Sequence, residues 1–178
     1  MLRHVDPRPG SADILADAIR SKVRHHVYQI KRILIVDDSK LIAHRIKDFL
    51  HHNAGFSVNV ATNSDEALAL IRRANEDGKP FQLVITDMEM GMRSLTGSEL
   101  LAEVRTMRPS TKTILMSSIA DTALRQFEHA DFTLHKDVND MLADLLLLID
   151  RLETSILRSK LEAHPPLAEL PMGKGTTH

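Results

Sequence analysis

The chain has 178 residues, is 43% hydrophobic and 26% charged, and carries a formal net charge of −1. This length suits one domain of ordinary size with additions and excludes two large ones. A balance so close to neutral lacks the basic footprint of a nucleic-acid binder, and the absence of cysteine excludes disulfides and thiol chemistry.

Residues 1–10 are polar and carry Pro7 and Pro9, without the apolar stretch of a signal peptide. Residues 11–28 place Ile14, Leu15, Ala18, Ile19, Val23 and Val27 at helical spacing, with Ser11 or Asp13 available as a cap. Residues 1–30 are therefore read as an extension containing an amphipathic helix. From Lys31 the rhythm changes. Ile33–Val36 is a short apolar run that ends in Asp37 and Asp38, and Leu41, Ile42, Ile46, Phe49 and Leu50 follow at helical spacing. Phe56–Val60 alternates as a strand does. Ser64 and Asp65 are placed to cap a helix carrying Ala67, Leu68, Leu70 and Ile71.

A third apolar run, Phe81–Thr86, ends at Asp87. A loop from Met88 to Thr96 leads to a helical face of Leu100, Leu101, Val104 and Met107, which Pro109 terminates. Thr113–Met116 is a strand ending at Ser117, residues 121–129 a short helix, and Phe132–His135 a last strand ending at Lys136. A long helical pattern runs from Val138 to about Leu161. The tail, 164–178, with three prolines and two glycines, is expected to be disordered.

Alternating short apolar strands and helices predict an α/β fold, a parallel sheet covered on both faces. Its longest unbroken apolar run, Leu145–Ile149, is too short to span a membrane, and the expected location is cytoplasmic. Strand ends of such a sheet share one rim, where ligands bind. Asp37, Asp38, Asp87, Ser117 and Lys136 all close strands. Three carboxylates together repel one another, and a hard divalent cation held by oxygen relieves that repulsion. A carboxylate there can attack phosphorus, while Mg2+ and a lysine offset charge on the phosphoryl oxygens.

These residues carry a family resemblance. Ile-Leu-Ile-Val-Asp-Asp-Ser at 33–39, Leu-Val-Ile-Thr-Asp-Met-Glu-Met at 83–90, Thr-Gly-Ser-Glu-Leu-Leu at 96–101, Ile-Leu-Met-Ser-Ser at 114–118 and Leu-His-Lys at 134–136 resemble the receiver domain of two-component response regulators. The resemblance covers about residues 31–150. It implies a doubly wound, flavodoxin-like sheet of five parallel strands in the order 2-1-3-4-5. It also implies that Asp87 is the phosphoacceptor, Asp38 a direct Mg2+ ligand and Asp37 a ligand through water. The Glu89 backbone carbonyl is the third protein ligand, and Lys136 and Ser117 hold the phosphoryl group. Ser118 is the alternative switch hydroxyl; Ser117 is preferred because a small residue should follow, and Ile119 is not small.

Some positions depart from the family pattern. Gly91 stands where proline is usual, and the loop to Thr96 is about two residues longer. The segment from Ser117 to Lys136 is shorter. Thr133 replaces the switch aromatic, with Phe132 beside it, and Asp137 replaces a proline.

The paired histidines 25/26 and 51/52 point in different directions on a helix and are not read as metal ligands. Met88, Met90 and Met92 are read as loop packing. The last helix outruns an ordinary receiver sheet beyond Asp150. Leu152, Ile156, Leu157 and Leu161 in 151–163 therefore need a partner, either the N-terminal helix or a second copy in a homodimer.

The expectation is a stand-alone phosphorylation switch, not an enzyme in the usual sense. It takes its phosphoryl group from a histidine kinase or phosphotransfer protein and binds a further protein target, without nucleic acid or membrane. Two rival readings stand beside it. One is a pseudo-receiver that serves as a phosphorylation-independent interaction module. The other is a phosphohydrolase using Glu89 as a second acid, for which no cap domain is evident.

Overall fold

The computed structural model describes residues 29–91, 94–118, 129–136 and 141–163. The helix read at 11–28, residues 121–128 of the helix read at 121–129, the first residues of the long last helix, Met92, Asp137 and the tail lie outside these.

The described elements are β1 (Arg32–Val36), α1 (Lys40–Ala54), β2 (Ser57–Ala61), α2 (Ser64–Glu76), β3 (Leu83–Asp87), α3 (Gly97–Met107), β4 (Lys112–Ser117), β5 (Phe132–His135) and α4 (Met141–Ala163). The strands form one sheet in the order β2-β1-β3-β4-β5, parallel at every pairing. This is the expected doubly wound order.

Side-chain alternation explains the two layers. Ile33, Ile35, Leu83, Ile85, Ile114, Met116 and Leu134 point to one face, where α1 and α4 cover them. Leu34, Val36, Val84 and Leu115 point to the other, under α2 and α3. Because both faces are covered, the central strand β3 reads Leu-Val-Ile-Thr-Asp and is buried throughout. The edge strand β2 instead alternates between exposed and half-buried positions until Ala61.

Local chemistry sets the helix ends. Gly55 ends α1 in the left-handed conformation, φ 78°, and its N–H donates to the carbonyls of His51 and Leu50. The α2 cap is Asn63, not Ser64 or Asp65 as expected. Its side-chain oxygen accepts from the Glu66 N–H at 2.8 Å, which makes Ser64 the first helical residue. Thr96 and Glu99 close α3 with a reciprocal capping box. Proline's steric conflict with a preceding α conformation ends α3 early: Arg108 before Pro109 is extended.

The long helix also corrects an expectation. Leu152 is buried, and Ile156 packs against the same core as α1, so neither lacks a partner. Only Leu157 and Leu161 of that group remain exposed, at 38% and 66%. Among the described residues no helix is long and apolar enough to cross a membrane.

Candidate functional site: an acidic cluster at the strand ends

Three strands converge at one rim. Continuing the alternation along each, Asp37, Asp87 and Lys136 share the parity of the face covered by α1 and α4. Register brings the two acids level, while Lys136 stands two residues beyond Leu134, the residue level with Asp87 across Met116. Val36 lies opposite Thr86, Asp87 opposite Met116, and Met116 opposite Leu134.

The Lys136 ammonium bridges two acids, at 2.8 Å from Asp37 Oδ2 and 2.9 Å from Asp87 Oδ2. Asp37 is fully buried, and its other oxygen accepts from the Ser39 N–H at 2.9 Å. Asp38 is exposed. One carboxylate oxygen from each of Asp37, Asp38 and Asp87 lies within 4.8 Å of the others. A cleft of about 610 Å3 opens beside them, lined by Asp38, Met88, Glu89, Gly91, Thr96 and Ser98.

Burial pushes the Asp87 carboxyl above its ordinary range. The Lys136 hydrogen bond and charge oppose that, Asp37 adds to it, and the Glu89 backbone N–H opposes it. For Lys136, burial works to lower the pKa, but the hydrogen bonds and charges of Asp37 and Asp87 outweigh it and the pKa rises.

Ser117 is the last residue of β4 and is buried; its carbonyl accepts from the Lys136 N–H at 2.8 Å. Ser118 lies beyond the strand and is exposed. The Glu89 side chain is also exposed, at the cleft. Thr133 is half-buried on β5.

Two features of the site were missed in the sequence. Gly97 approaches the Asp87 carbonyl so closely that an added Cβ would stand 2.1 Å from its oxygen. The signal was the Thr-Gly pair before a helical run. The second is a serine latch. Ser64 and Ser94 hydroxyls lie 2.6 Å apart, Ser94 Oγ accepts from the Ser64 N–H, and Ser64 Oγ accepts from the Leu95 N–H. This ties the loop after Asp87 to the start of α2; no sequence pattern announces it.

The response regulator receiver domain family matches residues 33–143, and the chain belongs to that family. It is 34% identical over 96 residues to a response regulator receiver protein of Anaeromyxobacter sp., covering 53% of this chain and 37% of that relative. The chain thus spans well under half of that protein's length. A receiver domain protein of Methanospirillum hungatei has a crystal structure with TM-score 0.61 and 30% identity, covering 74% of this chain and 99% of that one. The response regulator TrrA of Thermotoga maritima, crystallised in complex with Mg(2+)-BeF, has TM-score 0.52 and 27% identity over 72% of this chain and 97% of its own. Receiver domains are signalling modules of two-component systems, not catalysts in their own right.

Proposed function

We propose that this chain is a phosphorylation switch in which Asp87 accepts a phosphoryl group with the help of Mg2+. The observation that carries the reading is Lys136 bridging Asp37 and Asp87, with Asp38 in reach of both. A lysine neutralises only one of three negative charges gathered there. Two carboxylates beyond the lysine's charge, one of them facing a cleft, form an oxygen donor set suited to a hard divalent ion. The Mg(2+)-BeF complex of the TrrA relative supports the same chemistry.

Asp38, Asp87 and the Glu89 backbone carbonyl would hold the ion, with Asp37 reached through water. Bound there, Mg2+ supplies charge neutralisation for the phosphoryl oxygens. An Asp87 carboxylate oxygen attacks phosphorus. An acyl–phosphate bond forms as the bond from phosphorus to the donor nitrogen or oxygen breaks, and the leaving group takes up a proton. Lys136, held at the rim by β5, pairs with the transferred group, and Ser117 at the end of β4 offers its hydroxyl. Ser117 is preferred to Ser118 because it closes the strand beside Met116, the residue paired with Asp87. A histidine kinase or phosphotransfer protein would supply the phosphoryl group. A protein target would read the result, phosphorylation biasing an equilibrium between two conformations. We place the receiver unit at about residues 31–150.

Titration with Mg2+ and beryllium fluoride, followed by NMR, tests this. Saturable shifts around Asp87, and a mass gain of one phosphoryl group with a small phosphodonor, are expected in the parent and absent in Asp87→Asn. No response in the parent would turn the reading to the pseudo-receiver, which the departures at Gly91 and Asp137 favour. Multiple turnovers on a phosphoester would turn it to the phosphohydrolase.

A further inference from the structure

The loop between β3 and α3 carries Glu89, whose backbone N–H donates to the Asp87 carboxylate and whose carbonyl is the third protein ligand of the cation reading above. The ends of this loop are tied to the fold. The Met88 N–H donates to the Met116 carbonyl at 2.8 Å, and the Gly97 N–H donates to the Met88 carbonyl at 3.0 Å. Between these ties Met90 is buried in the layer under α2 and α3, its sulfur 3.9 Å from the Thr86 hydroxyl. A methionine is a flexible anchor. It fixes where the chain lies but leaves the peptide planes on either side free to turn.

The serine latch supplies the missing restraint. Capping makes the start of α2 rigid: the Asn63 side chain accepts from the Glu66 N–H at 2.8 Å, and the Glu66 carboxylate accepts from the Thr62 N–H at 2.8 Å. Ser64, the buried first residue of that helix, is therefore a fixed post. Ser94 Oγ accepts from its N–H at 2.9 Å, its own Oγ accepts from the Leu95 N–H at 2.9 Å, and the two hydroxyls lie 2.6 Å apart. From Ser94 the restraint passes on. The Ser94 N–H donates to the Gly91 carbonyl at 3.0 Å, and a Cβ added to Gly91 would stand 4.0 Å from Asp38 Oδ2. Gly91 thus lies against one proposed ligand and follows another, Glu89, with only Met90 between. Asp38, Glu89 and Gly91 all border the cleft, and neither serine is among its described lining residues.

We propose that Ser64 and Ser94 are positioning residues for the cation site: acting through Gly91, they fix the Glu89 carbonyl in place beside Asp38 and Asp87. They work from behind the loop, so α2 governs cation affinity without supplying a ligand. The inference rests on the Mg2+ reading and extends it to residues that reading does not use. A carbonyl oriented beforehand binds an ion without paying to order the loop at that moment. Outer hydrogen bonds that orient ligands typically contribute roughly 10- to 100-fold in metal affinity.

Calorimetric titration of the full chain with Mg2+ alone tests this, with thermal melts alongside. Ser94→Ala takes the acceptor from the Ser64 N–H, and Ser64→Ala takes it from the Leu95 N–H. Each should weaken Mg2+ binding about tenfold. Ser94→Thr keeps a hydroxyl at a half-buried position and should return the affinity to near the parental value. Thr113→Val removes a buried hydroxyl near the other end of β4, where it bonds to His129 and Asp131. It should lower the melting midpoint and leave Mg2+ affinity unchanged. In metal-free NMR spectra of Ser94→Ala, the Glu89 and Gly91 amides should already have shifted. If the parent binds Mg2+ and both alanine variants bind it equally well, the latch has no positioning role and the switch reading stands. Equal weakening by Thr113→Val, or no recovery in Ser94→Thr, also overturns the positioning role. A parent that binds no Mg2+ overturns the switch reading and the latch with it. Ser94 is half-buried, so its variants decide the matter should Ser64→Ala fail to fold.

Discussion

Lys136 holds together two carboxylates that would otherwise repel, and the residues around it are tuned against each other. Asp87 has a folded pKa raised above 3.8, chiefly by burial. A group of that kind contributes to stability fully below its unfolded pKa, and the contribution is lost as pH rises through the folded value. Ionised Asp87 therefore opposes folding at neutral pH. In metal-free buffer, Asp87→Asn should raise the thermal midpoint at pH 7, with a smaller gain at pH 4, as calorimetry at both values would register. Lys136 behaves with the same sign at the other end of the scale: its raised pKa contributes stability below 10.5 that disappears as pH climbs through the folded value. Lys136→Met leaves the buried Asp37 and Asp87 without a counter-charge. A loss of about 3 kcal/mol or more is expected from urea melts, with partial recovery on adding Mg2+.

Helix α3 begins against the backbone of the phosphoacceptor candidate, and this constrains its first residue. The Thr-Gly-Ser-Glu motif is legible as a capping box, since Thr96 and Glu99 stand at the required interval. Its glycine has a reason that spacing cannot supply: only a residue without Cβ fits over the Asp87 carbonyl. Gly97→Ala should cost at least about 3 kcal/mol, the upper end for overpacking, because the obstacle is backbone and cannot rotate away. Chemical denaturation measures the loss, and NMR shifts at Asp87 and Met88 would show where the strain goes. The Ser64–Ser94 latch fastens the same loop from its other side, so the segment after Asp87 is anchored at both α2 and α3.

Across the whole molecule, Glu153 joins the two ends of the described chain. It lies on α4 between the buried Leu152 and the half-buried Ile156, and satisfies two N–H groups before β1. Removing it orphans the buried N–H of Ile30. Glu153→Ala should therefore cost about 1–3 kcal/mol, and Glu153→Gln, which keeps one acceptor, less. Hydrogen exchange at Ile30 gives the local readout: faster in the alanine variant, near the parental rate in glutamine.

The sequence alone determined the alternation of strands and helices, the parallel sheet and the residues at its ends, because burial on two faces writes continuous apolar runs that stop where the chain meets water. Asp37, Asp38, Asp87 and Lys136 were legible for that reason, and the family resemblance supplied the strand order. Three matters were left to the tertiary structure. Lys136 pairs with two acids 99 and 49 positions away in the chain; Gly97 sits on a backbone oxygen from another element; and Glu153 serves N–H groups from the opposite end of the described chain. Each depends on distances between segments remote in sequence, and periodicity, which reports only what a segment does with its own neighbours, carries no such information.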